Sequence, residues 1–307
     1  MPNTTQIDAS TLRTIVVSTD FSNPARRAIE WAIAIASAHQ ARIVLVHAMP
    51  VHAPGGADFE RAMHDATIRK LREASEPIVE AKLAMTTDCR IGKPYSVICD
   101  AARDAGADLI VIGSRGLTGL DRFLLGSTAD RVLRTASVPV LTVHPDDPRP
   151  QVRHVMFATD FSASSKVAMS ASMRLLSAFT PPVRLTMLHV SVPPYVVGGI
   201  DIPMPLVPDW DKIDREARRE LDATAEAARS DRVQVTADIV RGQPAPVIID
   251  EARSRHVDII ALGTHGATGL DRLLLGSIAE RVLHHAPCPV LTTRIPWSEE
   301  DDRRLRT

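Results

Sequence analysis

The stretch GSRGLTGLDRFLLGS, Gly113–Ser127, returns as GTHGATGLDRLLLGS at Gly263–Ser277. Each copy follows a short apolar run, Asp108–Ile112 or Asp258–Leu262, and leads into apolar residues at helical spacing, Ala129 to Leu133 or Ala279 to Leu283. That context reads as strand, glycine loop, helix. The likeness continues to Val143 and Thr293, so the chain is a tandem repeat whose halves are expected to do similar work.

Glycines at 113, 116 and 119 permit positive φ and let another molecule approach the backbone closely. Gly126 and Gly276 precede Ser127 and Ser277 at a helix start, where free N–H groups and the positive dipole end form an anion site to which a hydroxyl adds a donor. A phosphate is the natural occupant. The competing reading is that the glycines only make tight turns and Ser127 only caps its helix. The spacing G-x2-G-x9-G-S, kept in both copies, favours the ligand.

The chain's 307 residues suffice for two domains of ordinary size. With 45% apolar and 24% charged residues it has the composition of a soluble globular protein. A net charge of −1 and the lack of a dense Lys/Arg stripe argue against nucleic acid as a partner. Cys89, Cys99 and Cys288 show neither metal nor redox spacing and read as buried small residues; no metal ligand set is expected. Residues 1–11 lack the apolar core of a signal peptide and no run is long enough for a membrane span, so a cytoplasmic protein without a membrane partner is expected.

Taken in order, Thr14–Ser18 reads as a buried strand broken by Thr19-Asp-Phe-Ser22, with Ser22 as N-cap and Pro24 just inside a helix from Ala25 to Ala38. A strand at Arg42–Ala48, a loop at 50–57, a charged helix from Asp58 to Met85 and a short strand at Cys89–Ile91 follow. Gly92-Lys-Pro94 opens the next helix, strand 108–112 feeds the glycine loop, and Pro139–Val143 is the fifth strand. Residues 144–151 are a Pro/Asp linker, after which the order restarts: strand His154–Ala158, helix to Phe179, strand Val183–Val190, a proline-rich insertion from Pro193 to Pro208, helix Asp209–Arg229 and strand Val233–Val240. Strand 258–262 and strand Pro289–Thr293 complete the copy, and the tail from Trp297 reads as a solvated end. This alternation predicts two tandem α/β domains, at 12–145 and 151–296, each a doubly wound, Rossmann-like, five-stranded parallel sheet of order 3-2-1-4-5.

In that order the chain reverses between strands 1 and 4, and ligands bind beyond the carboxyl ends there. Asp20 and Gly113 leave those ends in one copy, Asp160 and Gly263 in the other. A carboxylate facing a glycine loop suits a nucleotide, the acid taking ribose or base donors and the loop taking phosphates. The alternative for Asp20 and Asp160 is an Asx-turn at the strand-to-helix junction. The loop is neither a P-loop nor the G-x-G-x-x-G of a dinucleotide fold.

The TDFS after strand 1, His47 and His189 ending strand 2, the breaks at Gly92 and Gly242, and the doubled long glycine motif resemble a tandem universal stress protein of the ATP-binding branch. The resemblance covers nearly the whole chain. It implies ATP as ligand, with magnesium or manganese left open; contacts to base or ribose from Asp20 and Asp160; and backbone contacts from Ala48, Val190, Ile112 and Leu262. It also implies phosphate contacts from Gly113, Gly116, Gly126, Ser127 and Thr128, and from Gly263, Gly266, Gly276, Ser277 and Ile278. Ser18 and Ala158 stand where that branch can carry proline, and the copies differ at Arg115 against His265 and Thr128 against Ile278. By the same resemblance, the fifth strands pair the two domains as an intramolecular pseudo-dimer; a homodimer of chains is left open.

His47 and His189 are expected as packed, hydrogen-bonded histidines, and His284-His285 as a helix end. Arg122 and Arg272 suit a phosphate or domain-interface contact, or equally a bracing pair with Asp121 or Asp271. The function expected is a nucleotide-dependent regulatory module of the stress response without a catalytic residue. The alternative is a slow ATPase or phosphotransferase, for which no placed general base is evident.

Overall fold

The computed structural model describes residues 11–49, 56–115, 125–192, 210–264 and 275–294. Gly116, Gly119, Asp121, Arg122, His265, Gly266, Asp271, Arg272, the insertion at 193–208 and the tail from Trp297 lie outside the described residues.

The first half runs β1 (Thr14–Ser18), α1 (Asn23–His39), β2 (Arg42–Met49), α2 (Gly56–Glu80), β3 (Met85–Ile91), α3 (Pro94–Asp104), β4 (Leu109–Gly113), α4 (Ser127–Thr135) and β5 (Val140–Val143). The second half repeats it: β6 (His154–Thr159), α5 (Ala163–Leu176), β7 (Val183–Ser191), α6 (Trp210–Ala228), β8 (Val233–Arg241), α7 (Pro244–Ser254), β9 (Ile259–Gly263), α8 (Ser277–His285) and β10 (Val290–Thr293). The apolar run of β1 shows why a parallel sheet forms. Ile15 and Val17 pack on one face with Trp31 of α1, while Val16 packs on the other with Ile98 of α3. Both faces are covered, as parallel sheets require. Ser22 caps α1, its side-chain oxygen accepting from the Ala25 amide at 3.3 Å, and Ser162 caps α5 by accepting from the Ser165 amide at 3.2 Å.

The strands order as β3-β2-β1-β4-β5-β10-β9-β6-β7-β8. Each half therefore has the expected 3-2-1-4-5 order, parallel throughout, and the two meet at β5 and β10. That pair is antiparallel, with Leu141 opposite Leu291, both buried. Leu141 and Leu291 belong to the apolar layer on one face, Val140 and Val290 to the layer on the other, so both layers run through the joint.

Three local readings need correction. Helix α2 stops at Glu80, because Lys82 takes a left-handed φ of 56° and its amide turns back to the Val79 carbonyl at 2.9 Å. Strand β3 then begins at Met85, earlier than the apolar pattern indicates, since it is an outer strand with a half-exposed face. The 144–151 segment is not merely a spacer: Asp147 is 3% exposed and accepts from the His144 amide at 2.5 Å. Of the cysteines only Cys288 is buried; Cys89 and Cys99 are half-buried.

Two polar contacts cross between the halves on the helix face. Arg174 of α5 donates to Asp108, before β4, at 2.7 Å. His39, at the end of α1, accepts the Leu12 amide on Nδ1 at 3.1 Å, which leaves Nε2–H to donate to the Leu175 carbonyl at 2.9 Å. Burial holds this imidazole below its ordinary value of 6.5, against the opposing pull of the Leu175 carbonyl. The folded chain thus keeps His39 neutral where the unfolded chain takes up a proton. Stability is expected to fall as pH drops through and below 6.5, followed by thermal melting across that range. In His39→Gln the slope should be shallower, with His154, also lowered chiefly by burial, supplying part of the remainder.

Candidate functional site

Strand β1 lies beside β4, and β6 beside β9, in parallel register. After β1 and β6 the chain turns outward through a helix; after β4 and β9 it turns the other way. The carboxyl ends of each pair therefore open a crevice.

In the second half that crevice is a cavity of about 210 Å³. Asp160 after β6, Val190 near the end of β7, Leu262 and Gly263 at the end of β9, and Gly276, Ser277 and Ile278 at the start of α8 all line it. Every described candidate of that half is brought to one place. The first half sets Asp20, Ala48, Ile112, Gly113, Gly126, Ser127 and Thr128 at the matching positions: after β1, near the end of β2, at the end of β4 and at the start of α4. In both halves the loop closes on itself identically, Gly126 N–H donating to the Ser114 carbonyl and Gly276 N–H to the Thr264 carbonyl, each at 2.8 Å.

The helix starts settle one alternative. Gly126 and Gly276 are the N-caps, and among the described residues no side chain caps either helix. Ser127 and Ser277 sit one position further in, so the reading of Ser127 as the cap is overturned. The uncapped amides leave the positive dipole end of α8 directed at the cavity that Ser277 and Ile278 line.

The TDFS segments are tightly specified. Phe21 and Phe161 hold left-handed φ values of 68° and 62°, rare for an aromatic residue. Thr19 Oγ1 accepts from the Phe21 amide at 3.0 Å, and Asp20 Oδ1 from the Ser22 amide at 3.0 Å. Thr159 and Asp160 do the same for Phe161 and Ser162, at 3.0 and 3.1 Å. The Asx-turn is thus real in both copies. It engages Oδ1 of each acid. Each phenylalanine lies against a histidine, His47 at 4.5 Å and His189 at 4.6 Å between centroids. Those imidazoles donate from Nδ1 to the Thr19 and Thr159 carbonyls at 2.8 and 2.9 Å, as packed residues of the turn. His284 and His285 end α8, as expected.

Other lining residues were missed. Ser165 donates its hydroxyl to Asp160 Oδ1 at 2.6 Å and lines the cavity; Thr264, Pro244 and Ile248 are among the other residues of its walls. The only sequence signal for them is the Gly242-Gln-Pro244 break that starts α7 over the crevice.

A model of the universal stress protein family matches residues 11–144 and 151–294. The chain belongs to the universal stress protein family. A universal stress protein of Mycolicibacterium smegmatis is 33% identical over 310 residues, covering 94% of this chain and 99% of that one. One from Mycobacterium tuberculosis is 26% identical over 299 residues, covering 91% and 96%. The crystal structure of a universal stress protein from Archaeoglobus fulgidus superposes with a TM-score of 0.71 at 22% identity, covering 92% of this chain and 98% of that chain, a likeness of fold. Among the described residues no helix is long and apolar enough to cross a membrane.

Within this universal stress fold, the first glycine of each motif also has an internal, packing reason that the sequence did not show. A Cβ on Gly113 would lie 2.9 Å from the Pro24 carbonyl carbon, and one on Gly263 would lie 2.3 Å from Ser164 Oγ and 2.8 Å from its carbonyl carbon. A Cβ at either glycine would meet the first turn of α1 or α5, so packing by itself requires a glycine there. Gly113→Ala is accordingly expected to cost about 1–3 kcal/mol in urea unfolding without any nucleotide present, since the obstructing atoms are backbone.

Proposed function

We propose that each half binds one adenine nucleotide, ATP, and that occupancy biases the shape or partner choice of the chain, making it a regulatory module of the stress response. The observation that carries this reading is the convergence in one crevice of Asp160, the Gly276–Ser277 helix start and the apolar walls Val190 and Leu262. Each part suits one portion of the ligand. The carboxylate accepts from ribose hydroxyls or base amines, the apolar walls flank the base, and the helix start receives phosphate. At about 210 Å³ the cavity is below the ~300–1,000 Å³ that encloses a whole drug-sized ligand, so part of the nucleotide would extend beyond these walls. Asp20, Ala48, Ile112, Gly113, Gly126, Ser127 and Thr128 support the same reading for the first half.

Position 128 or 278 offers a test that spares the fold. Both residues stand in the first turn of a helix, where a carboxylate stabilises the helix but repels a phosphate. Calorimetric titration with ATP is expected to give two sites per chain in the wild type and one in Thr128→Glu or Ile278→Glu, the affected site weakened by about tenfold or more, ~1.4 kcal/mol. Two undiminished sites in both folded variants would overturn the assignment.

A further inference from the structure

A second cleft, of about 340 Å³, lies where α5 passes over the joint of the two halves. It falls within the ~300–1,000 Å³ of ordinary small-molecule sites. Leu109, Val138 and Leu291 give it apolar walls, and Thr293 and Arg174 stand beside them.

The cleft arises where the two halves stop being equivalent. Counting from the N-caps Ser22 and Ser162, Ala171 of α5 corresponds to Trp31 of α1. Both helices begin hard against their sheets, at Gly263 and Gly113, so the room beneath them differs through their side chains. Trp31 is fully buried in the apolar layer of that face. Ala171, which lines the cleft, leaves the matching space open. The polar residues diverge at the same place: Arg174 stands where the first half has Ala34, and Thr293 where it has Val143. Loss of an indole's bulk and gain of hydrogen-bonding groups thus coincide, as a binding site requires and a mere packing defect does not.

Thr293 is 2% exposed, and among the described residues its Oγ1 has no hydrogen-bond partner; Arg174 Nε is likewise buried without one. Buried polar groups are ordinarily paired, so each is a candidate contact for a ligand. An Nε–H only donates, whereas a threonine hydroxyl donates or accepts, so a ligand hydroxyl is the smallest group that suits both. The cleft asks for no charge from its occupant at Arg174, whose Nη2 already donates to Asp108 at 2.7 Å. Burial works to raise the Asp108 carboxyl, but hydrogen bonds from the Arg13 amide, Arg174 and the Thr14 amide outweigh it and hold the group below its usual range, so the pair stays ionised and neutral as a whole. Arg294 also lines the cleft, but the ionisable groups acting on it, Arg134 and Cys99, belong to α4 and α3 in the opposite helix layer.

We propose that this interdomain cleft is a binding site for a small, neutral aromatic molecule carrying a hydroxyl. Its rings take the space that the indole of Trp31 fills in the other half and lie against Leu109, Val138 and Leu291, and its hydroxyl pairs with Thr293 and the Arg174 Nε–H. The site is separate from the two nucleotide crevices and does not rest on their assignment.

The test titrates the full chain by calorimetry with 2-naphthol, whose two fused rings approach the bulk of an indole, with 2-methylnaphthalene, which has the rings without the hydroxyl, and with 2-naphthoate, which adds a negative charge. 2-Naphthol is expected to saturate one site per chain, and both controls to bind more weakly. Ala171→Trp places in the second half the residue that the first half already buries, and should abolish binding. Thr293→Val, which likewise copies the first half, and Arg174→Lys, which keeps a cation for Asp108 but removes the Nε–H, should each weaken binding by about three- to tenfold as one hydrogen bond is lost. Circular dichroism and melting confirm the fold of each variant; should Ala171→Trp not fold, the other two carry the test. No saturable 2-naphthol binding, equal or tighter binding of either control, or undiminished binding in the folded variants would overturn the proposal.

Discussion

Everything in this molecule depends on one short antiparallel contact, that of Val140–Val143 with Val290–Thr293. A parallel five-stranded sheet made by doubly wound connections ends in a strand with unpaired backbone groups, and an uncovered edge invites association. Tandem duplication supplies the same edge twice. Pairing the two edges turns two sheets into one of ten strands and lets the apolar layers above and below run across the joint. Because β5 and β10 run against each other while each is parallel to its own neighbour, the carboxyl ends of β4 and β9 face opposite ways. Two crevices facing opposite ways cannot share a ligand, so each half must complete its own.

Duplication also frees the halves to diverge. Where Asp20 has Ala25 five residues on, Asp160 has Ser165, whose hydroxyl fixes one oxygen of the acid. Where Ser114 Oγ has no hydrogen-bond partner among the described residues, Thr264 donates its hydroxyl to the Thr293 carbonyl at 3.1 Å. That bond joins a residue lining the second crevice to one lining the interdomain cleft, one strand away. The second half therefore holds its acid through a serine hydroxyl where the first has an alanine.

What the sequence made legible followed from burial. Runs such as Ile15-Val-Val17 and Ile259-Ile-Ala261 are covered on both faces, and an uninterrupted apolar run between turn residues is the signature of such strands. Repetition then fixed the strand order, because two copies with the same breaks can obey only the same winding. Strand β3 was half legible, since an outer strand with exposed Thr86 and Thr87 lacks that signature. The end of α2 was not legible at all. Lys82 adopts a conformation usually marked by glycine, and nothing in its side chain announces it.

The site was legible in its residues and only partly in their reasons. A glycine repeated at the end of β4 and β9 looks like room for a phosphate, and Gly113 and Gly263 are also fixed by Pro24 and Ser164, residues distant in sequence. The TDFS segment is a similar case, a functional-looking acid that is also a structural one. Left-handed Phe21 and Phe161 store local strain, of order 1–3 kcal/mol for a non-glycine residue, which persists only where neighbours over-determine it. Here the neighbours are the threonine and aspartate side chains on either side and the histidine ring below. Strain of this kind points the chain sharply out of β1 into α1, and the same turn sets the first helical turn against Gly113. The acid's position over the crevice is therefore not adjustable by its own rotamer alone. It is set by a chain of contacts running from His47 through Phe21 and the Asx-turn to the start of α1. A tetrapeptide could thus be kept in both copies for the geometry it imposes, with the carboxylate's place in the crevice as a consequence of that geometry.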